Sequence, residues 1–587
     1  MTSRDALDPP LGVPPLLRRA VAVLLCYGAV VCALTWPLAA HFRSHLPATF
    51  PGSEFDPLYS GWVLAWESHA LSRGSLDIAD ANIYYPARDA LFYGPVALGA
   101  LPYFAPTYLV TGNPTLALNL LLLGSITLTA TAIHLVVHAW TKRHAAAVVA
   151  AAVFLANRWL LYTFIPTVPH LSVLFYLPLI IFLAAAPTVG VRLALLLFAL
   201  VVAQCMTDVS YVTPAVLAPL ATLAVLRLWR QPTRRSGIAL LVVAVGAALV
   251  MVAVHWPYLA IMARNPNLAQ QTNWRLDPMR SALELPSGLL GALSPLAISS
   301  LAFALLAAAG LLAARGWRGS PAEASAARHA LLWIGVGVVI SLPLRVSVLG
   351  HAITLPHLLV AQRWGLFASA LRLPERLRVA ALMGVALLVG LAFAELLRQL
   401  GLTAGRRRSA GNALAALVVA AFYAQYATAF GQPQPYGPRL PVLYQLQRPP
   451  SDSPALQALR ASGGPTFEAP LPTTKPTTAA AQAPAMYRSI FHWQPLLNGY
   501  SSYWPAGFAE RMRTAASLPD PSAVRALRQE TGLVFILARI DDELPIDTRL
   551  PNERAAWIEL TRRGGRPDLE LVATDDQLAL FRVTGEP

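Results

Sequence analysis

The stretch Glu54-Phe55-Asp56-Pro57 sets two carboxylates two residues apart, just ahead of an apolar segment that carries two tryptophans. A carboxylate within reach of a hydroxyl can take its proton. Two at this spacing can also share one hard divalent cation, Mg2+ or Mn2+, through oxygen ligands. Far downstream, Leu371-Arg372-Leu373-Pro374-Glu375-Arg376 carries two guanidinium groups four residues apart, which share a face if the segment is helical. A planar guanidinium fork is the natural partner of a phosphate. In the same region His351 and His357 could donate to phosphate or take up a proton near neutral pH. His170 and Asp208 stand at the edges of apolar runs, where an ionisable group is costly.

Each of these residues also has a plain structural reading. Asp56 before Pro57 starts a helix by local chemistry alone, because the carboxylate accepts from orphan N–H groups and proline at the first helical position loses no hydrogen bond. Glu54 reads equally as a solvated loop carboxylate, and Arg372 and Arg376 as contacts to lipid headgroups or partners of Glu375. The histidines read as ordinary loop side chains. The helix expected after Pro57 carries Leu58, Trp62, Trp66 and His69 along one stripe and stops at Arg73-Gly74, where glycine supplies a left-handed cap. Tryptophan suits a membrane interface, so the helix is expected to lie on the outer bilayer surface with its acidic end turned inward.

The rest of the chain must hold these groups in a membrane. Of 587 residues 56% are hydrophobic and only 13% charged, with a mean hydropathy of +0.51, which excludes an ordinary soluble protein. A net charge of +15 would suggest nucleic acid in a soluble protein, but the arginines lie mainly between apolar runs, so the positive-inside rule accounts for them and no nucleic-acid partner is expected. Windows long enough to cross ~30 Å of hydrocarbon fall at roughly 20–40, 115–138, 145–163, 170–186, 193–207, 211–228, 238–260, 292–314, 330–349, 378–397 and 412–430, about eleven spans. With the N-terminus cytoplasmic, Lys142-Arg143, Arg192, Arg227 to Arg235, Arg315 to Arg328 and Arg398 to Arg408 all fall in cytoplasmic loops. Residues 41–113, about 261–291 and about 350–377 then face outward, as does the tail. Cys26, Cys32 and Cys205 all sit in apolar segments, and neither a disulfide framework nor a zinc site is implied.

Within 41–113, the stretch 91–111 is apolar but broken by Pro95, Pro102 and Pro106, the pattern of a re-entrant or interfacial piece. After residue 430 the composition shifts through a proline-rich linker, and no further window can span. Apolar runs at 466–471, 533–538 and 569–584 read as strands, while 521–529 and 553–563 have helical spacing; the Ala/Pro/Thr-rich 470–485 reads as a flexible loop. The expected architecture is an all-α polytopic membrane domain, 1–430, followed by a small extracytoplasmic α/β domain, 431–587.

Taken in order, the acidic motif in a long first outer loop, Pro169-His170-Leu171 leading to Tyr176-Leu177-Pro178, His255-Trp256-Pro257-Tyr258, the arginine motif at 371–376 and Asn498-Gly499-Tyr500-Ser501-Ser502-Tyr503-Trp504 resemble the bacterial GT-C superfamily of polytopic membrane glycosyltransferases. The resemblance covers nearly the whole chain. It implies a multi-pass protein of the bacterial plasma membrane that moves a sugar from a polyprenyl-phosphate carrier in the surrounding lipid to an envelope acceptor. Asp56, or else Glu54, would be the base, and Arg372, Arg376, His351, His357 and His170 would surround the phosphate. Trp62, Trp66, Tyr84 and Tyr85 would suit a sugar ring or prenyl chain, and Tyr500, Tyr503 and Trp504 either an acceptor groove or core packing. Many members carry Asp-x-Asp where this chain has Glu54-x-Asp56, which leaves the need for a metal open. A transporter or flippase for lipid-linked cargo, or a scaffold for envelope proteins, is the contrasting reading; the sequence shows no internal repeat of the transporter kind.

Overall fold

Long apolar runs form helices because lipid leaves backbone groups no partner outside their own segment. The computed structural model describes residues 15–48, 55–75, 78–157, 172–265, 282–285, 305–306, 316–342, 345–348, 351–356, 374–428, 442–445, 453–541 and 551–585. Up to residue 428 the main elements are α1 (Pro15–Leu34), α2 (Phe55–Ser72), α3 (Leu101–Thr111), α4 (Pro114–Thr141), α5 (His144–Leu155), α6 (Tyr176–Ala184), α7 (Val191–Cys205), α8 (Val212–Leu228), α9 (Arg234–Val254), α10 (Trp256–Arg264), α11 (Pro321–Ile340), α12 (Val379–Gln399) and α13 (Arg407–Thr428). Four helices among the described residues are long and apolar enough to cross a membrane: Pro114–Thr141, Arg234–Val254, Pro321–Ile340 and Arg376–Gln399. His144–Leu155, Val191–Cys205 and Val212–Leu228 are apolar but shorter. Along α9, Ile238, Val242, Val245, Leu249 and Val252 form an exposed apolar stripe, a surface suited to lipid. The expected span at 292–314 lies almost wholly outside the described residues.

The two ends of the bundle differ in kind. At one end basic groups gather: Arg398 pairs with Glu395 at 3.0 Å and with Glu323, and the Arg318 N–H donates to Glu395 at 2.9 Å. Arg227 donates to the Ala184 carbonyl at 2.9 Å and meets His329 at 3.2 Å. At the other end the loops pair as strands. β1 (His45–Ala48) runs antiparallel to β5 (Val442–Gln445), and β2 (Ala282–Leu285) joins the hairpin of β3 (Arg345–Val348) and β4 (His351–Thr354). β1 and β5, and β2 and β4, belong to segments expected to face outward, whereas β3 lies in the window expected as a span at 330–349, whose helix ends at Ile340.

Beyond residue 453 the chain forms a five-stranded sheet in the order β6-β7-β10-β9-β8, built from β6 (Thr466–Ala469), β7 (Phe535–Arg539), β8 (Gly565–Arg566), β9 (Leu569–Thr574) and β10 (Leu578–Val583). β6 and β7 are parallel, and the other pairs antiparallel. Around it lie α14 (Pro454–Ser462), α15 (Ala479–Arg488), α16 (Phe508–Ala515), α17 (Pro521–Thr531) and α18 (Pro551–Arg562). The start of α17 follows from its sequence: Asp520 accepts from the Ser522 N–H at 2.7 Å, and Pro521 takes the first helical position. The segment expected as a flexible loop is in part α15, because Ala479 to Ala483 favours helix and its Met486 and Tyr487 find a core.

That core is shared with α2, the segment that follows it and α4. Trp62, Leu118 and Tyr84 pack in one cluster with Phe467, Met486 and Tyr487. The backbone joins as well: the Tyr84 N–H donates to the Asn498 carbonyl at 3.0 Å, Tyr85 to Leu496 at 2.9 Å, and Leu496 to Asn82 at 2.6 Å. This corrects the expected placing of α2. Its helix ends where Gly74 takes a φ of 72°, as the sequence predicts, but Leu58, Tyr59, Trp62, Val63 and Leu64 are all buried against protein. An indole needs one acceptor and an apolar surround, and a protein core supplies both as well as a bilayer surface does.

Candidate functional site

Asp56 lies in the first turn of α2, where the helix dipole favours a negative charge. It is half-buried, and its Oδ1 accepts the Tyr500 hydroxyl at 3.1 Å. The Tyr500 ring stands edge-on to Phe55, 5.9 Å between centroids, and to Tyr59, 5.7 Å. A loop of the C-terminal body thus reaches the acidic turn at the start of α2.

A second group forms where α7 gives way to α8. Asp208, buried, accepts from the Tyr211 N–H at 2.5 Å and the Val212 N–H at 3.1 Å, capping α8. Arg376, in the 3-10 turn Pro374–Arg378, lies over the Tyr211 ring at 5.1 Å from its centroid and within electrostatic reach of Asp208. Burial pushes the Asp208 carboxyl up, while the Tyr211 and Val212 N–H groups and Arg376 hold it back. The result is a half-buried guanidinium over an aromatic face and within electrostatic reach of a carboxylate.

One loop, Gly94–Ala100, connects the two groups. The Tyr59 hydroxyl of α2 donates to the Pro95 carbonyl at 3.3 Å, and the Gly99 N–H donates to the Met206 carbonyl at 2.9 Å. A Cβ at Gly99 would stand 2.5 Å from the Thr207 backbone nitrogen, so the approach requires glycine. Between these points the Ala97 N–H donates to Glu67 Oε1 at 2.9 Å. Glu67 is wholly buried in α2, and its Oε2 has no hydrogen-bond partner among the described residues. Desolvation raises its pKa to about 8, offset in part by the Ala97 hydrogen bond.

Glu67 makes a prediction of its own. In the unfolded chain it loses its proton near 4.5, whereas in the folded protein it holds it to about 8. Its contribution to stability is therefore complete below 4.5 and lost as pH rises through that window. Glu67→Gln keeps an acceptor for Ala97 and cannot ionise, so thermal unfolding in detergent should lose its decline across that interval. A variant whose decline matches the wild type would show that Glu67 is not its source.

Trp62 is corrected as a ligand-facing residue: it is fully buried, with its indole N–H donating to Asn82 Oδ1 at 3.2 Å. His351 is exposed at the start of β4, in a hairpin the sequence did not suggest. Glu54, His170, His357 and Arg372 lie outside the described residues. Among the described residues no group of three or more His, Cys, Asp or Glu side chains could hold a metal ion, and Asp56 offers one carboxylate already bonded to Tyr500. The carboxylate pair suggested for Mg2+ or Mn2+ includes Glu54 and so lies in part outside the described residues. Glu67 and Tyr211 were missed as members of the site; a carboxylate within the apolar stretch Trp62–Leu71 was the available signal for the first.

Two of the solved structures that are similar to this chain carry a polyprenyl-type phosphate. One is ArnT from Cupriavidus metallidurans bound to undecaprenyl phosphate, at 13% identity and a TM-score of 0.46, over 97% of this chain and 98% of that one. The other is the archaeal oligosaccharyltransferase AglB from Archaeoglobus fulgidus, in complex with an inhibitory peptide and a dolichol-phosphate, at 11% identity and a TM-score of 0.44, over 90% of this chain and 70% of that one. No family model matches the chain, and no curated protein matches it by sequence. At these identities and TM-scores the chemistry of the site rests on its own residues.

Proposed function

We propose that the chain is an integral membrane glycosyltransferase of GT-C type, taking a sugar from a polyprenyl-phosphate donor held in the bilayer and passing it to an envelope acceptor. The observation that supports this reading is one loop, Gly94–Ala100, bonded both to Tyr59, one turn after Asp56 on α2, and to Met206, in the segment whose Tyr211 ring lies under Arg376. In the proposed step Asp56 takes the proton of the acceptor hydroxyl. The freed oxygen pair bonds to the anomeric carbon, the bond from that carbon to the phosphate oxygen breaks, and polyprenyl phosphate leaves with its negative charge met by Arg376. About eleven spans, a cytoplasmic N-terminus and an extracytoplasmic C-terminal body complete the proposal.

The test uses the full chain in liposomes loaded with a mixture of polyprenyl-phosphate sugars isolated from bacterial membranes. Release of polyprenyl phosphate together with a glycosylated acceptor from the same membranes is the expected result. Movement of intact donor between leaflets with its glycosidic bond unbroken would replace the enzyme by a flippase.

A further inference from the structure

We propose that Tyr500 is a positioning residue for Asp56, so that the C-terminal body completes a catalytic centre that the membrane helices alone leave unfinished. This rests on the reading of Asp56 as the base.

The geometry begins with the 3.1 Å hydrogen bond from the Tyr500 hydroxyl to Asp56 Oδ1. An aspartate side chain can rotate about two bonds, and a donor fixed on one oxygen sets the plane of the carboxylate. Tyr500 is in turn held against rotation by the rings of Phe55 and Tyr59, both on α2.

The loop bearing Tyr500 is latched independently of that contact. Tyr84 of the first outer loop, buried and held at a φ of 60°, reaches under it: its hydroxyl meets Ser501 Oγ at 2.9 Å and donates to the Tyr503 carbonyl at 3.1 Å. A left-handed backbone is uncommon for a bulky residue and persists only where the surroundings fix it. Here Gly499 leaves the room, since a Cβ there would stand 2.5 Å from the Tyr84 ring. The Tyr503 N–H adds a bond to the Tyr93 carbonyl at 3.0 Å. Two anchors on the first outer loop thus flank a tyrosine whose hydroxyl is aimed at the acidic turn of that loop, and an anchor for the domain alone would not need that hydroxyl.

Tyr500→Phe in the full chain removes the hydroxyl and keeps the ring. Sugar transfer should fall about tenfold in kcat while KM for the donor lipid stays at the wild-type value, because a base held out of line slows the chemical step and leaves binding alone. Thermal unfolding should stay close to the wild type, since both rings of the packing remain. An unchanged kcat, or a loss confined to KM, would overturn the proposal and leave Tyr500 a packing residue. Asp56→Asn separates the two levels: if it is inactive while Tyr500→Phe keeps the wild-type kcat, only the positioning role falls. If Asp56→Asn remains active, the reading of Asp56 as base falls first.

Discussion

Asp56→Asn is expected to reduce sugar transfer by a factor of about 10²–10⁴, the usual contribution of a positioned general base. The substitution is chosen because it keeps the shape of the side chain. It gives up only the favourable charge at the helix start, about 0.3–1 kcal/mol, and the asparagine oxygen can still accept the Tyr500 hydroxyl that Oδ1 accepts now. What it cannot do is take a proton from an acceptor. A role confined to starting α2 would leave transfer unchanged and the unfolding temperature nearly so, whereas a catalytic role removes transfer with the same small effect on unfolding. Donor-lipid consumption and thermal unfolding measured on the same purified variant separate the two outcomes.

Removing the guanidinium should be nearly as costly. Arg376→Ala is expected to lower transfer by about 10²-fold or more, the scale seen when a preorganised donor to developing negative charge is lost, and to weaken donor binding. Arg376→Lys should recover only part of this, because an ammonium keeps the charge and lacks the planar fork that matches a phosphate. The neighbouring buried Asp208 complicates the first variant, since it loses a positive partner. In the double variant Arg376→Ala/Asp208→Asn no lone buried charge remains, so folding should recover while transfer does not. Transfer that returned with folding would mean that Arg376 serves only to neutralise Asp208.

The parts of this fold that local chemistry controls were legible in the sequence. The cap at Gly74, the start of α17 at Asp520-Pro521 and the strands within 466–471, 533–538 and 569–584 follow from residue types within a few positions of each other. So did the gathering of the basic loops at one end of the bundle, which depends on composition. The burial of α2 was not legible, because Trp62 satisfied by Asn82 and Trp62 at a lipid headgroup present the same pattern along the chain. Nor was the pairing of Tyr500 with Asp56, which are 444 residues apart and meet only once the tail's sheet has taken up the first outer loop. Asp208 stood out as a carboxylate at an apolar edge; that it would meet Arg376 depended on the packing of a turn near 376 against α8. Within the candidate site, sequence therefore singled out Asp56, Arg376, Asp208 and Tyr500 one by one, and tertiary packing added Tyr211, the loop Gly94–Ala100 and the contacts among them.

The central claim is that the acidic turn and the guanidinium border one chamber that receives a lipid phosphate. An experimental structure of the full chain with bound polyprenyl monophosphate tests it most directly. The account predicts the phosphate within about 4 Å of the Arg376 guanidinium, the limit for an ion pair, with the Asp56 carboxylate facing the same chamber. A phosphate bound away from Arg376, or packed side chains filling the space between it and Asp56, would contradict it.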